Sequence, residues 1–245
     1  PTTSSPSRNG DVLTIDEPVI VEYTHPRERV LFNPARDCNP FFHMFESLWM
    51  LAGREDVEPI AYFSPNVKNY SDDGETLNGA YGKRWRAASS DLYQDIDQLD
   101  FLINHLKNDP NSRRAVLQMW NVQDDLLRIG NPCDCEAKER GVGWHLKECS
   151  SIDSRDVCCN TNVYFRIRKE CVCAEPSGYV RYESKLDMTV CNRSNDIVWG
   201  MLGANVVHMS FLQEYVAAGI GVGVGKYYQM SNNLHAYTWN WHPDL

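Results

Sequence analysis

The sequence predicts an α+β fold, on three observations. Apolar residues recur with period two in some segments and with helical spacing in others. These two kinds of segment interleave irregularly, which argues against a doubly wound sheet. With 42% hydrophobic residues among 245, the chain can bury a substantial core as one large domain spanning 1–245.

Taken in order, residues 1 to about 40 are rich in Pro, Arg and Asp, with one strand expected at Val19–Tyr23. They read as an arm, mobile over about 1–16, that leads into the fold. Asn39-Pro40 opens a helix through FFHMFESLWMLAG, closed by Gly53, with Phe41, Phe45, Leu48 and Ala52 expected on its buried side. Asp91 to Lys107 reads as a second amphipathic helix carrying Leu92, Ile96, Leu99, Leu102 and Leu106, and Ala115–Trp120 as a strand. The Gly- and Cys-bearing stretch of about 130–156 reads as a loop insertion. Val163, Phe165 and Ile167 alternate with Tyr164, Arg166 and Arg168, as a half-buried strand requires. Leu186, Met188 and Val190 repeat the pattern. Val206–Ala218 is a strongly apolar helix, and Gly225–Met230 begins the last strand.

Composition excludes several classes. No apolar run approaches the ~20 residues that a membrane span needs, and PTTSSPSRNG lacks the apolar core of a secretory signal. A net charge of −9 argues against a nucleic-acid surface, which is normally basic. An anionic ligand therefore needs a local arginine cluster. Nine cysteines is a high and odd number, and reduced thiols are the expectation without an export signal.

Cys159 stands immediately before the 163–168 strand, where a thiol serves either as a packed small hydrophobe or as a nucleophile activated by nearby positive charge. Cys158 is its rival. Arg113-Arg114 precede a strand and Arg193-Ser194 follow one; guanidinium forks with a hydroxyl suit a phosphate monoester, although a lone strand-end arginine is more simply a solvated one. Arg8 can close over a phosphate from the arm. Glu46 has Phe42, Trp49 and Met50 at helical spacings, the setting of a proton-transfer carboxylate or of an edge residue reaching solvent. Asn205 opens the apolar helix, as an N-cap or as an amide that reads the edge of a pyrimidine. His235 and Tyr237, two apart on one strand face, can hold a sugar hydroxyl or simply pack. Cys133, Cys135, Cys149, Cys171 and Cys173, with His145, raise the alternative of a non-catalytic zinc-stabilised binding protein, but two C-x-C pairs depart from the usual C-x₂₋₄-C spacing. No metal is expected at the catalytic residues.

The chain resembles the thymidylate synthase family from about Arg8 to Tyr237. FHMFESLWMLAG is similar to the family helix that carries the catalytic glutamate, here Glu46. NGAYGKRWR looks like its Tyr-Gly-Lys-x-Trp-Arg segment and makes Tyr81 a proton-transfer partner. SRRAVLQMWN resembles the segment whose arginines, here Arg113 and Arg114, cross a dimer interface to the partner's phosphate. By the same resemblance Cys159 is the nucleophile, Arg193 and Ser194 bind phosphate, and Asp196 handles protons and the folate. Asn205, His235 and Tyr237 take base and sugar. The resemblance implies a mixed sheet packed with helices, a homodimer joined through that sheet, and a cytoplasmic enzyme of the kind that some phages also encode. Its substrates would be a pyrimidine nucleoside 5′-monophosphate (dUMP or dCMP) and 5,10-methylenetetrahydrofolate, with neither membrane nor nucleic acid as a partner.

The departures matter. Cys158-Cys159-Asn160 stands where the family usually has Pro-Cys-His. Val67, Asn69 and Tyr70 fill the stretch that usually carries a shielding tryptophan, and the Gly200–Asn205 loop has an apparent extra residue. No sealing tail is evident after Trp241-His242-Pro243. Each change admits water to the one-carbon intermediate, which tilts the expectation toward a hydroxymethyl product over the methyl product of a true thymidylate synthase. Uracil and cytosine both remain open.

Overall fold

The computed structural model describes residues 2–7, 9–90, 93–127, 154–174 and 180–240. It is a mixed α/β assembly. A five-stranded sheet runs in the order β3 (Val19–Tyr23), β10 (Gly223–Ser231), β8 (Val180–Asn192), β7 (Asn160–Ala174) and β6 (Val116–Gln118). Only the β10–β8 pair is parallel. A second sheet joins β1 (Thr2–Ser5), β2 (Val12–Ile15), β11 (Leu234–Tyr237) and β9 (Asn195–Asp196), so the strand expected to be the last is followed by a further one in another sheet; a small third sheet pairs β4 (Ala88–Ser90) with β5 (Tyr93–Ile96).

The segment expected as a mobile arm thus carries two strands. β2 pairs with β11 in the register His235 to Thr14 and Tyr237 to Val12, so the N-terminal segment builds the wall beside the two expected sugar binders. Alternation in β2 is too short to announce a strand, and it is long-range pairing that fixes it.

Among the described residues, five α-helices lie at Pro40–Leu51 (α1), Val57–Ala61 (α2), Tyr81–Arg86 (α3), Gln98–Asn108 (α4) and Ala204–Ile220 (α5). In α1 the Asn39 side chain accepts the Phe42 N–H, Pro40 occupies the first turn, and Gly53 beyond the helix end adopts φ +75°. Its buried face differs from expectation. His43, Ser47, Trp49 and Met50 are buried, while Phe41 is 75% and Leu48 53% exposed. Helical spacing alone gives two candidate apolar faces, and α5 and α3 pack against the more polar one.

Helix α4 also starts later than expected. Asp97 caps it by accepting the Asp100 N–H at 2.9 Å, leaving Tyr93–Ile96 as a strand with Ile96 exposed. Its interior residues Leu99, Leu102 and Leu106 are buried as read. They pack with Leu117, Val163, Phe165, Leu186, Met188 and Val190 from the sheet and with Met209, Leu212 and Val216 from α5. Each fully buried side chain of this size stabilises the fold by roughly 1.5–3 kcal/mol. Gly82 lets α3 approach α1 closely, because a Cβ there would lie 2.2 Å from the Met50 carbonyl oxygen. Tyr81 stands immediately before that contact, at the start of α3.

Candidate active site

The entry to β7 is pinned before the chain reaches its two thiols. The Gly79 N–H donates to Asp156 Oδ2 at 2.8 Å, and Asn78 Nδ2 donates to the Asp156 carbonyl at 3.1 Å. Burial raises the Asp156 pKa, although the Gly79 N–H opposes it. Cys158 then points inward. It is 1% exposed, its Sγ sits 3.6 Å from the Gly79 carbonyl, and burial drives its thiol pKa far upward. Cys159 is half-buried and faces the site, with Sγ 3.8 Å from Arg193 Nη2. Geometry therefore separates two thiols that spacing leaves equivalent, since a nearby guanidinium favours thiolate and an apolar enclosure opposes it.

Arg193 is held in place through its own backbone and side chain. Its N–H donates to the Cys159 carbonyl at 2.9 Å, Nε to the Cys158 carbonyl at 2.8 Å and Nη2 to the Val157 carbonyl at 3.1 Å. The guanidinium lies 5.8 Å from the Trp120 ring centroid and still has N–H groups directed to solvent. Ser194 follows it, half-buried.

Tyr81 Oη accepts the backbone N–H groups of Cys159 and Asn160 at 3.2 and 3.3 Å. Enclosure, and after it the neighbouring cysteines, raise its pKa well above the usual tyrosine range, so the phenol keeps a proton to donate. Asn205 does not cap α5, whose N-cap is Gly203 without a side-chain bond. Its Oδ1 instead accepts Asn160 Nδ2 at 3.5 Å, and its Nδ2 donates to Asn195 Oδ1 at 2.9 Å. Asn195 continues inward to Gln229 Oε1 and Ser231 Oγ. Asn160 and Asn195 are 0% and 2% exposed, which fixes the amide of Asn205 from behind.

Asp196 ends β9 and accepts the Trp199 N–H on Oδ1, while Oδ2 is buried without a regular hydrogen bond. Burial raises its pKa; the Trp199 N–H and His235 pull the other way. His235 is 8% exposed, with Nδ1 2.9 Å from Asn233 Oδ1, and its ring meets Tyr237 edge-on at 5.4 Å. Tyr237 Oη accepts Asn9 Nδ2 at 3.4 Å.

Glu46 does not sit in the apolar surroundings that its helix neighbours suggest. Its Oε2 lies 2.9 Å from Nε2 of His208 on α5, and His43 one turn earlier on α1 completes a group whose donor atoms lie within 4.8 Å of one another. The approach of His208 to Glu46 is not legible in the sequence, whose signal there is a histidine three residues after Asn205 in a largely apolar helix.

Cys159, Tyr81, Arg193 and Asn205 are thus joined directly or through Asn160, and Asp196, His235 and Tyr237 line the adjoining wall. Arg113 and Arg114 are exposed at the start of β6, on the sheet's edge strand. Arg8, Cys133, Cys135, His145, Cys149 and the Trp241–Pro243 segment lie outside the described residues, while Cys171 is exposed on β7. No described helix is long and apolar enough to cross a membrane.

The chain is similar to the deoxyuridylate hydroxymethyltransferase of Pseudomonas phage M6, with 45% identity over 231 residues, 94% of this chain and 54% of that protein. It is 35% identical to the protein of that name from Bacillus phage SP01 over 242 residues, again 94% of this chain and 54% of the relative. A thymidylate synthase of Wigglesworthia glossinidia brevipalpis matches at 35% over 92 residues, 37% of this chain and 34% of that one. The chain therefore spans about half the length of the phage relatives. The family model described as thymidylate synthase matches residues 36–243, and the chain belongs to the thymidylate synthase family.

Proposed function

We propose that this protein transfers a one-carbon unit to carbon 5 of dUMP, where the addition of water leaves it as a hydroxymethyl group. The observation that carries the reading is the half-buried Cys159 thiol 3.8 Å from the Arg193 guanidinium, in a chain whose phage relatives are named deoxyuridylate hydroxymethyltransferase. Cys159 adds as thiolate to carbon 6, which makes carbon 5 nucleophilic. Arg193 serves both thiolate and phosphate, with Ser194 beside it. Tyr81, held protonated, donates toward the ring, and Glu46 moves protons there. Asn205, fixed by Asn160 and Asn195, reads the uracil edge. His235 and Tyr237 take the sugar.

A reduced folate, 5,10-methylenetetrahydrofolate, supplies the one-carbon unit. The residues present fit it, because the buried Asp196 Oδ2 lacks a regular hydrogen bond and is suited to accept from a ring N–H. A second copy of the chain supplies Arg113 and Arg114 to the phosphate. The outer face of the five-stranded sheet supports this pairing, since it presents Ile20 at 68%, Tyr164 at 46% and Val116 at 42% exposure.

Mass spectrometry of the products from dUMP and from dCMP, each with methylenetetrahydrofolate, tests base and product together. The expected product is 5-hydroxymethyl-dUMP, without the absorbance change of dihydrofolate. A methylated product with dihydrofolate would make the protein a thymidylate synthase instead.

A further inference from the structure

The cluster between α1 and α5 holds more unmet polar capacity than a lone proton-transfer glutamate needs. His43 and His208 are 6% and 4% exposed, and both His43 Nδ1 and His208 Nε2 are buried without a regular hydrogen bond. The 2.9 Å approach of His208 Nε2 to Glu46 Oε2 is close but misaligned, and the two imidazoles meet edge-on with centroids 6.0 Å apart. An unsatisfied buried polar atom costs about 1–3 kcal/mol, so two of them call for a ligand. Donor atoms within 4.8 Å of one another are spanned by a single water at about 2.8 Å from each, and a buried water needs two to four such partners. Burial, with the neighbouring His208, brings the His43 pKa down to about 4; Glu46 opposes that shift and Arg36 adds to it. His43 is therefore neutral at neutral pH and can accept as well as donate. The cluster also lies next to the site, because His208 follows Asn205 by one turn of α5 and Asn205 touches Asn160 beside Cys159.

We infer that His43 and His208 are positioning residues that hold, against Glu46, the water consumed in forming the hydroxymethyl group. The inference rests on the hydroxymethylation reading above. In the step itself, the water oxygen bonds to the exocyclic methylene carbon attached at carbon 5. The exocyclic π pair shifts to join carbons 4 and 5, the carbonyl π pair at carbon 4 moves onto its oxygen, and the water proton passes to Glu46. Collapse of that enolate re-forms the carbon 5–carbon 6 double bond and expels the Cys159 thiolate. Nothing is oxidised or reduced.

The test uses tritium release from carbon-5-labelled dUMP as the early readout and the 5-hydroxymethyl product as the late one, with 2-mercaptoethanol present to trap the methylene as a thioether. In His208→Ala and His43→Ala, tritium release should persist while the ratio of hydroxymethyl product to thioether falls about tenfold or more, with KM for dUMP little changed. His208→Gln, which keeps one hydrogen-bonding atom, should recover part of the ratio, and thermal melting checks that each variant is folded. An unchanged ratio in folded variants overturns the inference, as does stoichiometric zinc that is lost in His43→Ala. Wild-type protein that releases no tritium instead defeats the hydroxymethylation reading itself.

Discussion

Two neighbouring parts of this molecule are built on opposite terms. At the start of β7, reactive groups are aimed by backbone: Cys159 by its place before the strand, Arg193 by three carbonyls, Tyr81 by two N–H groups. Between α1 and α5, His43, Glu46 and His208 meet through helix packing alone, and two ring nitrogens are left without regular partners. The first region is fixed by backbone bonds before any substrate arrives, although Asn160 Oδ1 is buried there without a regular partner. The second is polar, enclosed and incomplete, which suits a place where a small reactant is held. Substitutions in the first region should therefore abolish or weaken chemistry outright, and those in the second should redirect it or alter its response to pH.

The largest effect is expected at Cys159. Replacing it with Ala should lower tritium release from carbon-5-labelled dUMP by roughly four orders of magnitude or more, as loss of a covalent nucleophile does. Residual turnover near the wild-type rate would move the chemistry away from β7 altogether. Arg193→Ala comes next. On the proposed role of Arg193 toward phosphate and thiolate, its loss should cut kcat/KM by about 10- to 100-fold. A loss confined to KM would assign Arg193 to the phosphate alone.

The third prediction concerns the helical region. In the fold the His43 imidazole protonates only near pH 4, against 6.5 for an unperturbed histidine. The unfolded chain therefore binds the proton first, so the stability associated with neutral His43 is complete above about 6.5 and is lost as pH falls toward 4. At pH 5 the loss is about 2 kcal/mol. Between pH 7 and pH 5 the melting temperature of His43→Gln should thus fall less than that of the wild type; equal falls would mean that the imidazole is not held neutral.

How much of this was legible follows from which interactions made it. The strands of β7 and β8 follow from period, because each meets its partners with regular alternation, and α5 follows from composition, because it is buried on most of its circumference. Cys159, Arg193, His235 and Tyr237 can be singled out in the sequence because residue type and order mark them, and the fold sets Cys159 beside Arg193 and His235 beside Tyr237. The buried face of α1 was not, since Phe41 and Leu48 fit helical spacing as well as His43 and Ser47 do, and only the packing of α3 and α5 chooses between them. For the same reason Glu46 was placed among apolar neighbours, when its decisive contact comes from α5. Strand β2 depends on pairing with a segment more than two hundred residues away, and β1 pairs in turn with β2; short alternation cannot announce that.

The smallest effect separates adjacent residues of one chemistry. Cys158 and Cys159 share a peptide bond, yet the first packs under Gly79 with its thiol driven toward the neutral form, while the second faces Arg193. Cys158→Ala should therefore cost about 1 kcal/mol of stability, the scale of a small buried truncation, and change kcat less than about twofold because no reacting atom is removed. Its Asn160 and Tyr81 neighbours are tied through backbone N–H groups that the substitution leaves in place. Measuring the urea midpoint beside kcat decides the point. A drop in kcat that outruns the stability loss would mean that the buried sulfur takes part in the chemistry, and the contrast between the two thiols would then be one of order in the reaction and not of role.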